Sequence, residues 1–194
     1  MKNILLFLLI LLLLTLCQAK KQFYIVGETQ NGIFQQYNRD QCYYTNKDGM
    51  KSIKATYDDT TGAVYFLKYT SENCSNEYVS EVSYQFALKT QRKKSVGFKG
   101  VEDDSRCSHK EFTDGDYYAP TCFKTLTGRS SLYTQNTENN KWVVLKHYYD
   151  DSCSSFKNEE RLFECDKCID TKWCTCGSSS VVIILVIFLI TLFF

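Results

Sequence analysis

The chain has 194 residues, with 23 basic and 22 acidic side chains and a formal net charge of +1 at pH 7. Such balance gives no general pull toward nucleic acid or an anionic membrane. A hydrophobic content of 44%, with 14 Tyr and 13 Phe, excludes a disordered polymer, because that much apolar surface can be buried.

The chain opens on MKNILLFLLILLLLTLCQA. One lysine, an apolar run from Ile4 to Leu14 and small residues at a junction have the layout of a secretory signal peptide, cut after Ala19. The segment QFYIV near Phe23 reads as an opening strand. A phrase then recurs four times: YNRDQC ends at Cys42, YTSENC at Cys74, YYAPTC at Cys122 and YYDDSC at Cys153. Each places a tyrosine five residues before a cysteine.

Cys42 and Cys74 map onto Cys122 and Cys153 with a shift of 80 or 79, and the residues between agree in kind. KATYDDTTGAVYFLKYTSENCS and LYTQNTENNKWVVLKHYYDDSCS both run from a turn-rich centre through an apolar stretch to Leu-Lys. Asp, Asn, Thr and Gly tolerate turn geometry, while Val, Tyr, Phe and Trp suit strands. Each unit is therefore expected to hold a hairpin followed by a cysteine-stapled corner, with the tyrosine ring over the bridge.

In EVSYQFALK, Val82, Tyr84, Phe86 and Leu88 alternate with polar residues, which predicts one half-buried antiparallel strand. Arg92–Lys94 and the acidic Glu102–Asp104 read as solvated loop faces. VGFKGV near Phe98 reads as the opening strand of the second unit, and FKNEERLF near Leu162 fits helix or strand. The expected fold class is all-β, with antiparallel strands in two internally repeated, disulfide-stapled halves and apolar helical segments at both precursor termini. The units fall at 20–100 and 101–164, followed by a cysteine-rich stem at 165–176 and a tail at 177–194.

That tail, from Val181 to Phe194, is uncharged and ends the sequence. As a helix it would reach about 21 Å at about 1.5 Å per residue, against about 30 Å for a bilayer core. Small residues before a terminal apolar tail instead match a glycolipid (GPI) attachment signal, with Gly177 or Ser178 carrying the lipid. The polar spacer usual in such signals is nearly missing. A retained short transmembrane helix is the alternative.

Of ten cysteines, Cys17 leaves with the signal. The rest read as a disulfide framework in an exported chain. The expected bridging set is Cys42, Cys74, Cys107, Cys122, Cys153, Cys165, Cys168 and Cys174, with Cys176, beside the lipid site, as the odd one. Symmetry selects Cys42 with Cys74 and Cys122 with Cys153. Cys165, Cys168, Cys174 and Cys176 are too tightly spaced for a zinc ribbon, so no metal is expected.

Catalytic motifs are lacking: there is no G-x-S-x-G and no P-loop, and only two histidines, His109 and His147, occur. No catalytic residue and no cofactor is expected. His109 two residues from Cys107 is the nearest approach to a thiol–imidazole pair. Asp58-Asp59 and Asp150-Asp151 read as solvated corners. Asn73-Cys74-Ser75 is a glycosylation sequon whose middle residue is an expected bridge.

The two end signals and a composition rich in Lys, Asn and Tyr with a single proline resemble small, cysteine-rich, GPI-anchored surface proteins of protists. The resemblance implies the outer face of the plasma membrane, with membrane contact through the anchor or tail. It carries no site. The expected function is a non-catalytic ectodomain that binds extracellular proteins or glycans, with no nucleic-acid partner. A protective coat component is the alternative, and a secreted hydrolase or inhibitor a third.

Overall fold

The computed structural model describes residues 22–177 other than 30, 104–106, 111 and 137–140. Among the described residues the chain is all-β, with fifteen strands in three antiparallel sheets and no helix. The signal peptide at 1–19 and the tail from Ser178 onward, with the helices expected there, lie outside the described residues.

The central sheet has seven strands. Four of them are β1 (Tyr24–Glu28), β2 (Ile33–Asn38), β7 (Phe86–Lys89) and β8 (Gly97–Glu102). The others are β9 (Gly115–Tyr118), β14 (Lys167–Ile169) and β15 (Lys172–Cys176). They lie in the order β14-β15-β8-β9-β2-β1-β7. A first four-stranded meander runs through β3 (Cys42–Tyr44), β4 (Ser52–Tyr57), β5 (Val64–Tyr69) and β6 (Tyr78–Ser83). A second runs through β10 (Phe123–Lys124), β11 (Ser130–Gln135), β12 (Trp142–Tyr148) and β13 (Phe156–Glu164).

Both meanders pack on one face of the central sheet. Ile25, Tyr37, Phe86 and Leu88 of that sheet meet Tyr43, Ile53, Ala55, Val64 and Phe66 of the first meander. At the other end Tyr118, Cys174 and Cys176 meet Val143 and Phe163 of the second. The approach there is close: a Cβ at Gly97 would overlap Val143, so glycine lets the sheets touch. Fully burying such side chains stabilises by about 1.5–3 kcal/mol each.

The expected hairpin at YDDTTG joins β4 and β5. The Asp58 carboxylate accepts from Thr60 N–H at 2.8 Å and from the Thr61 hydroxyl at 2.7 Å, and Gly62 takes φ +73°. Most of the counterpart turn in the second meander falls on residues 137–140, outside those described.

The two cysteine corners are built alike. Cys42 bonds Cys74, and Cys122 bonds Cys153. Buried Ser52 donates to the Ser71 carbonyl and accepts the Cys74 N–H at 3.0 Å. Buried Ser130 donates to the Asp150 carbonyl and accepts the Cys153 N–H at 3.0 Å. Cys74 and Cys153 sit at φ +53° and +56°. A left-handed residue other than glycine costs about 1–2 kcal/mol, and the disulfide and serine bonds hold each one there. The corner tyrosines contact cross-strand rings, Tyr69 with Tyr78 at 5.5 Å and Tyr148 with Phe156 at 6.1 Å.

Several expectations are corrected. The single strand across EVSYQFALK is broken at Tyr84–Gln85, because β6 pairs with β5 while β7 pairs with β1 in another sheet. Val82 and Tyr84 are exposed rather than inward. FKNEERLF is strand. Cys174 does not bridge: it points into the Val143–Phe163 cluster as a buried free thiol. Cys176, the residue expected to be odd, bonds Cys165, and Cys107 bonds Cys168.

Candidate functional site

The face of the central sheet away from the meanders carries a row of rings. Phe34 stacks on Tyr117 at 5.3 Å, and Tyr117 meets Phe98 at 4.7 Å. Strand alternation places these residues of β2, β9 and β8 on one side, opposite Tyr37 and Tyr118. Two loops lie over the row. From the loop after β7, Arg92 stands 5.8 Å from the Tyr117 ring centre and Lys93 4.8 Å from that of Phe34. From the loop after β8 come Lys110, which lies over Trp173 at 4.5 Å, and exposed Phe112. Cations over ring faces gain about 0.5–2 kcal/mol each, according to desolvation.

Between sheet and loops lies a groove of about 340 Å³. Its floor is Phe98, Tyr43 and Tyr117, its rim Arg92, Lys110 and Phe112, and the amides of Gln36 and Asn38 reach it. Among the described residues no carboxylate lines it. Burial pushes the Tyr43 and Tyr117 hydroxyls above the ordinary tyrosine range, so both are neutral donors or acceptors. Phe112 takes φ +52°, unusual for a bulky residue, and its carbonyl accepts from Tyr44 N–H at 2.8 Å. Backbone held in such a region concentrates at ligand sites.

The loop that supplies the rim is itself clamped. Asp103, 2% exposed, accepts from His109 N–H at 3.0 Å and lies 3.2 Å from His109 Nδ1. The His109 ring stacks on Tyr44 at 4.0 Å, and its Nε2 is 3.7 Å from Glu72. The Cys107–Cys168 disulfide fixes the loop to β14. Of the solvated faces expected at Arg92–Lys94 and Glu102–Asp104, Arg92, Lys94 and Glu102 are exposed, whereas half-buried Lys93 lies over Phe34 and Asp103 is a buried anchor; Asp104 lies outside the described residues. Sequence reading took Arg92 as part of a solvated run and Tyr117 as a corner tyrosine, and passed over Lys110 and Phe112. The only available signal was a basic run between strands.

Cys107, near His109, is spent in its disulfide. His147 Nδ1 lies 3.0 Å from the Ser131 hydroxyl and its Nε2 3.9 Å from Glu160; Ser131 is 1% exposed, and both residues line a second hollow of about 320 Å³. Asp58 caps a turn, and Asp150 accepts from the Ser154 hydroxyl and from the N–H groups of Ser152, Ser154 and Ser155. Those bonds, the Ser154 hydroxyl foremost, hold the Asp150 carboxyl well below the usual range. Asn73 is exposed at the first corner and accepts from the Ser75 hydroxyl at 2.6 Å. Gly177 takes φ +77° at the end of the groove, and Ser178 lies outside the described residues. Among the described residues no group of acidic, histidine or cysteine side chains is placed to hold a metal.

Comparison of the chain with protein-family models, with curated proteins and with solved structures finds no match.

Proposed function

We propose that this chain is a non-catalytic extracellular ectodomain that binds anionic glycans in the groove of its central sheet. One observation carries the reading: an aromatic floor rimmed by Arg92 and Lys110, with no acidic side chain in the described lining. Ring faces stack on sugar rings, the cations take carboxylate or sulfate groups, and the amides of Gln36 and Asn38 take hydroxyls. The groove volume lies at the lower end of the range for ligand pockets, about 300–1,000 Å³. That scale suits a sugar or two rather than a protein segment.

The four disulfides are compatible with an extracellular protein. A cleaved signal at 1–19, a GPI anchor at Gly177 or Ser178 and a glycan on Asn73 complete the reading. Finding the VVIILVIFLITLFF tail in the mature protein by mass spectrometry would remove the anchor from it. The scaffold is read as a duplicated unit: a hairpin in the central sheet, a stapled meander, then a strand returning beside the hairpin. The support is that β1-β2, β3–β6 and β7 follow the same course as β8-β9, β10–β13 and β15.

The test is an array of neutral, sialylated and sulfated glycans probed with the purified protein and with an Arg92→Ala/Lys110→Ala variant. Binding to the anionic set is expected, reduced at least tenfold in the variant and weakened by salt. No reproducible binding, or equal binding by the variant, overturns the reading.

A further inference from the structure

We infer that β6 is the docking edge for a second copy of this chain, in an antiparallel two-fold pair centred on Ser80. β6 ends the first meander and, among the described residues, pairs only with β5. An open edge is a template for another strand, and proteins ordinarily blunt it with charge. The second meander does so: its last strand, β13, carries Lys157, Glu159, Glu160 and Arg161. β6 does not. Five of its six residues are exposed, including Tyr78 at 55%, Val79 at 58% and Val82 at 38%. Its one charge, Glu81, is already held by Lys68 at 2.5 Å. The same molecule guards one edge and leaves the corresponding one apolar.

The choice of a second copy rests on the register that β6 permits with itself. Opposed residues in an antiparallel pair must project to the same face, so a two-fold axis passes through a residue and not between two. Through Glu81 it sets two carboxylates face to face. Through Val79 it sets Glu77 against Glu81, again like charges. Through Ser80 it sets Tyr78 against Val82 twice, Val79 against Glu81 twice, and Ser80 against its own copy. Aromatic rings opposite β-branched side chains are favourable cross-strand pairs, and opposed like charges are not. Tyr78 and Val82 also share their face with Tyr69 and Tyr65 of β5. The apolar stripe therefore continues across the axis, and the two meanders join into one eight-stranded sheet. No residue of β5 or β6 lines the groove, so the dimer presents two of them.

The test uses the full chain purified from a secretory host, with disulfides intact. Sedimentation equilibrium between about 1 µM and 1 mM, the range in which small interfaces associate, should show reversible dimerisation. Val82→Lys should weaken it at least tenfold, while Asn158→Lys on β13 should leave it unchanged. Ser80→Cys places a thiol opposite its own copy and should give a covalent dimer on mild oxidation. Val82→Cys, opposed to Tyr78, should not. A monomer throughout the range, a dimer indifferent to Val82→Lys, or cross-linking by Val82→Cys in place of Ser80→Cys overturns the inference. Circular dichroism of each variant separates these results from misfolding.

Discussion

Asp114 offers the sharpest test of how the first meander is locked to the central sheet. Its side chain is 2% exposed. It accepts from the Tyr37 hydroxyl at 2.6 Å and the Thr45 hydroxyl at 3.1 Å, and meets half-exposed Lys47 at 3.0 Å. Tyr37 belongs to β2, whereas Thr45 and Lys47 follow β3, so one carboxylate joins two sheets. Asp114→Ala leaves two buried hydroxyls without this acceptor, each worth about 1–3 kcal/mol. Lys47 returns to water at a cost of about 0–1 kcal/mol. The expected loss is about 3–5 kcal/mol, as for breaking a buried pair, out of a total stability of about 5–15 kcal/mol. Tyr37→Phe leaves the carboxylate two partners and should cost only about 1–2 kcal/mol. The double variant should cost less than the sum, with a coupling of about 1–3 kcal/mol. Urea unfolding followed by near-ultraviolet circular dichroism, disulfides intact, measures all three. A loss below about 1 kcal/mol for Asp114→Ala, or additive behaviour, would refute the account.

Ser52→Ala and Ser130→Ala each remove the acceptor of a corner cysteine N–H and the donor to a corner carbonyl, so each should cost about 1–2 kcal/mol in the same unfolding assay; a large effect at one corner and none at the other would mean that the corners are not energetically alike. At high pH, burial sets the tyrosine response. Tyr37, Tyr43, Tyr117 and Tyr118 all have ionisations raised above 10.0, chiefly by burial. A raised folded-state value means that stability is fully present below about pH 10 and is lost as pH climbs beyond it. Phenolate absorbance should therefore rise in two parts, exposed rings first and these four in one cooperative unfolding step. A smooth titration of all 14 tyrosines at the ordinary value would count against their burial.

Local pattern in the sequence carries the strands and corners because their causes are local. Turn-forming Asp58 and Gly62, alternation along β4 and β5, and cysteines spaced 32 and 31 apart all act within a single meander. The failures are long-range. Val82 through Leu88 keep an unbroken period of two, yet the run splits because its halves pair with strands from different sheets. Cys174 and Cys176 are both set among cysteines. Which of them bonds depends on where β13 delivers Cys165 and on the apolar cluster that encloses the Cys174 thiol. Asp103 looks like one acid in an acidic run until the loop folds back to bury it. The groove draws on β2, β3, β8, β9, β15 and two loops, and no local window contains it.

The bridges outside the meanders bear on the groove. Cys107–Cys168 spans 61 residues and Cys165–Cys176 spans 11. Closing the longer loop removes unfolded-chain entropy of about 4 kcal/mol on the chain-entropy model. Its more specific effect is positional. Cys107, His109, Lys110 and Phe112 share one loop, and this bridge with the Asp103–His109 contact fixes its near end. The Tyr44 N–H bond to the Phe112 carbonyl fixes its far end. On the proposed glycan reading, Lys110 and Phe112 are then presented on a backbone that is already ordered, which lowers the cost of ordering the loop on binding. If the groove binds glycans as proposed, breaking this one bridge should loosen the rim and weaken binding on the glycan array, while the meanders keep their own disulfides and their strands.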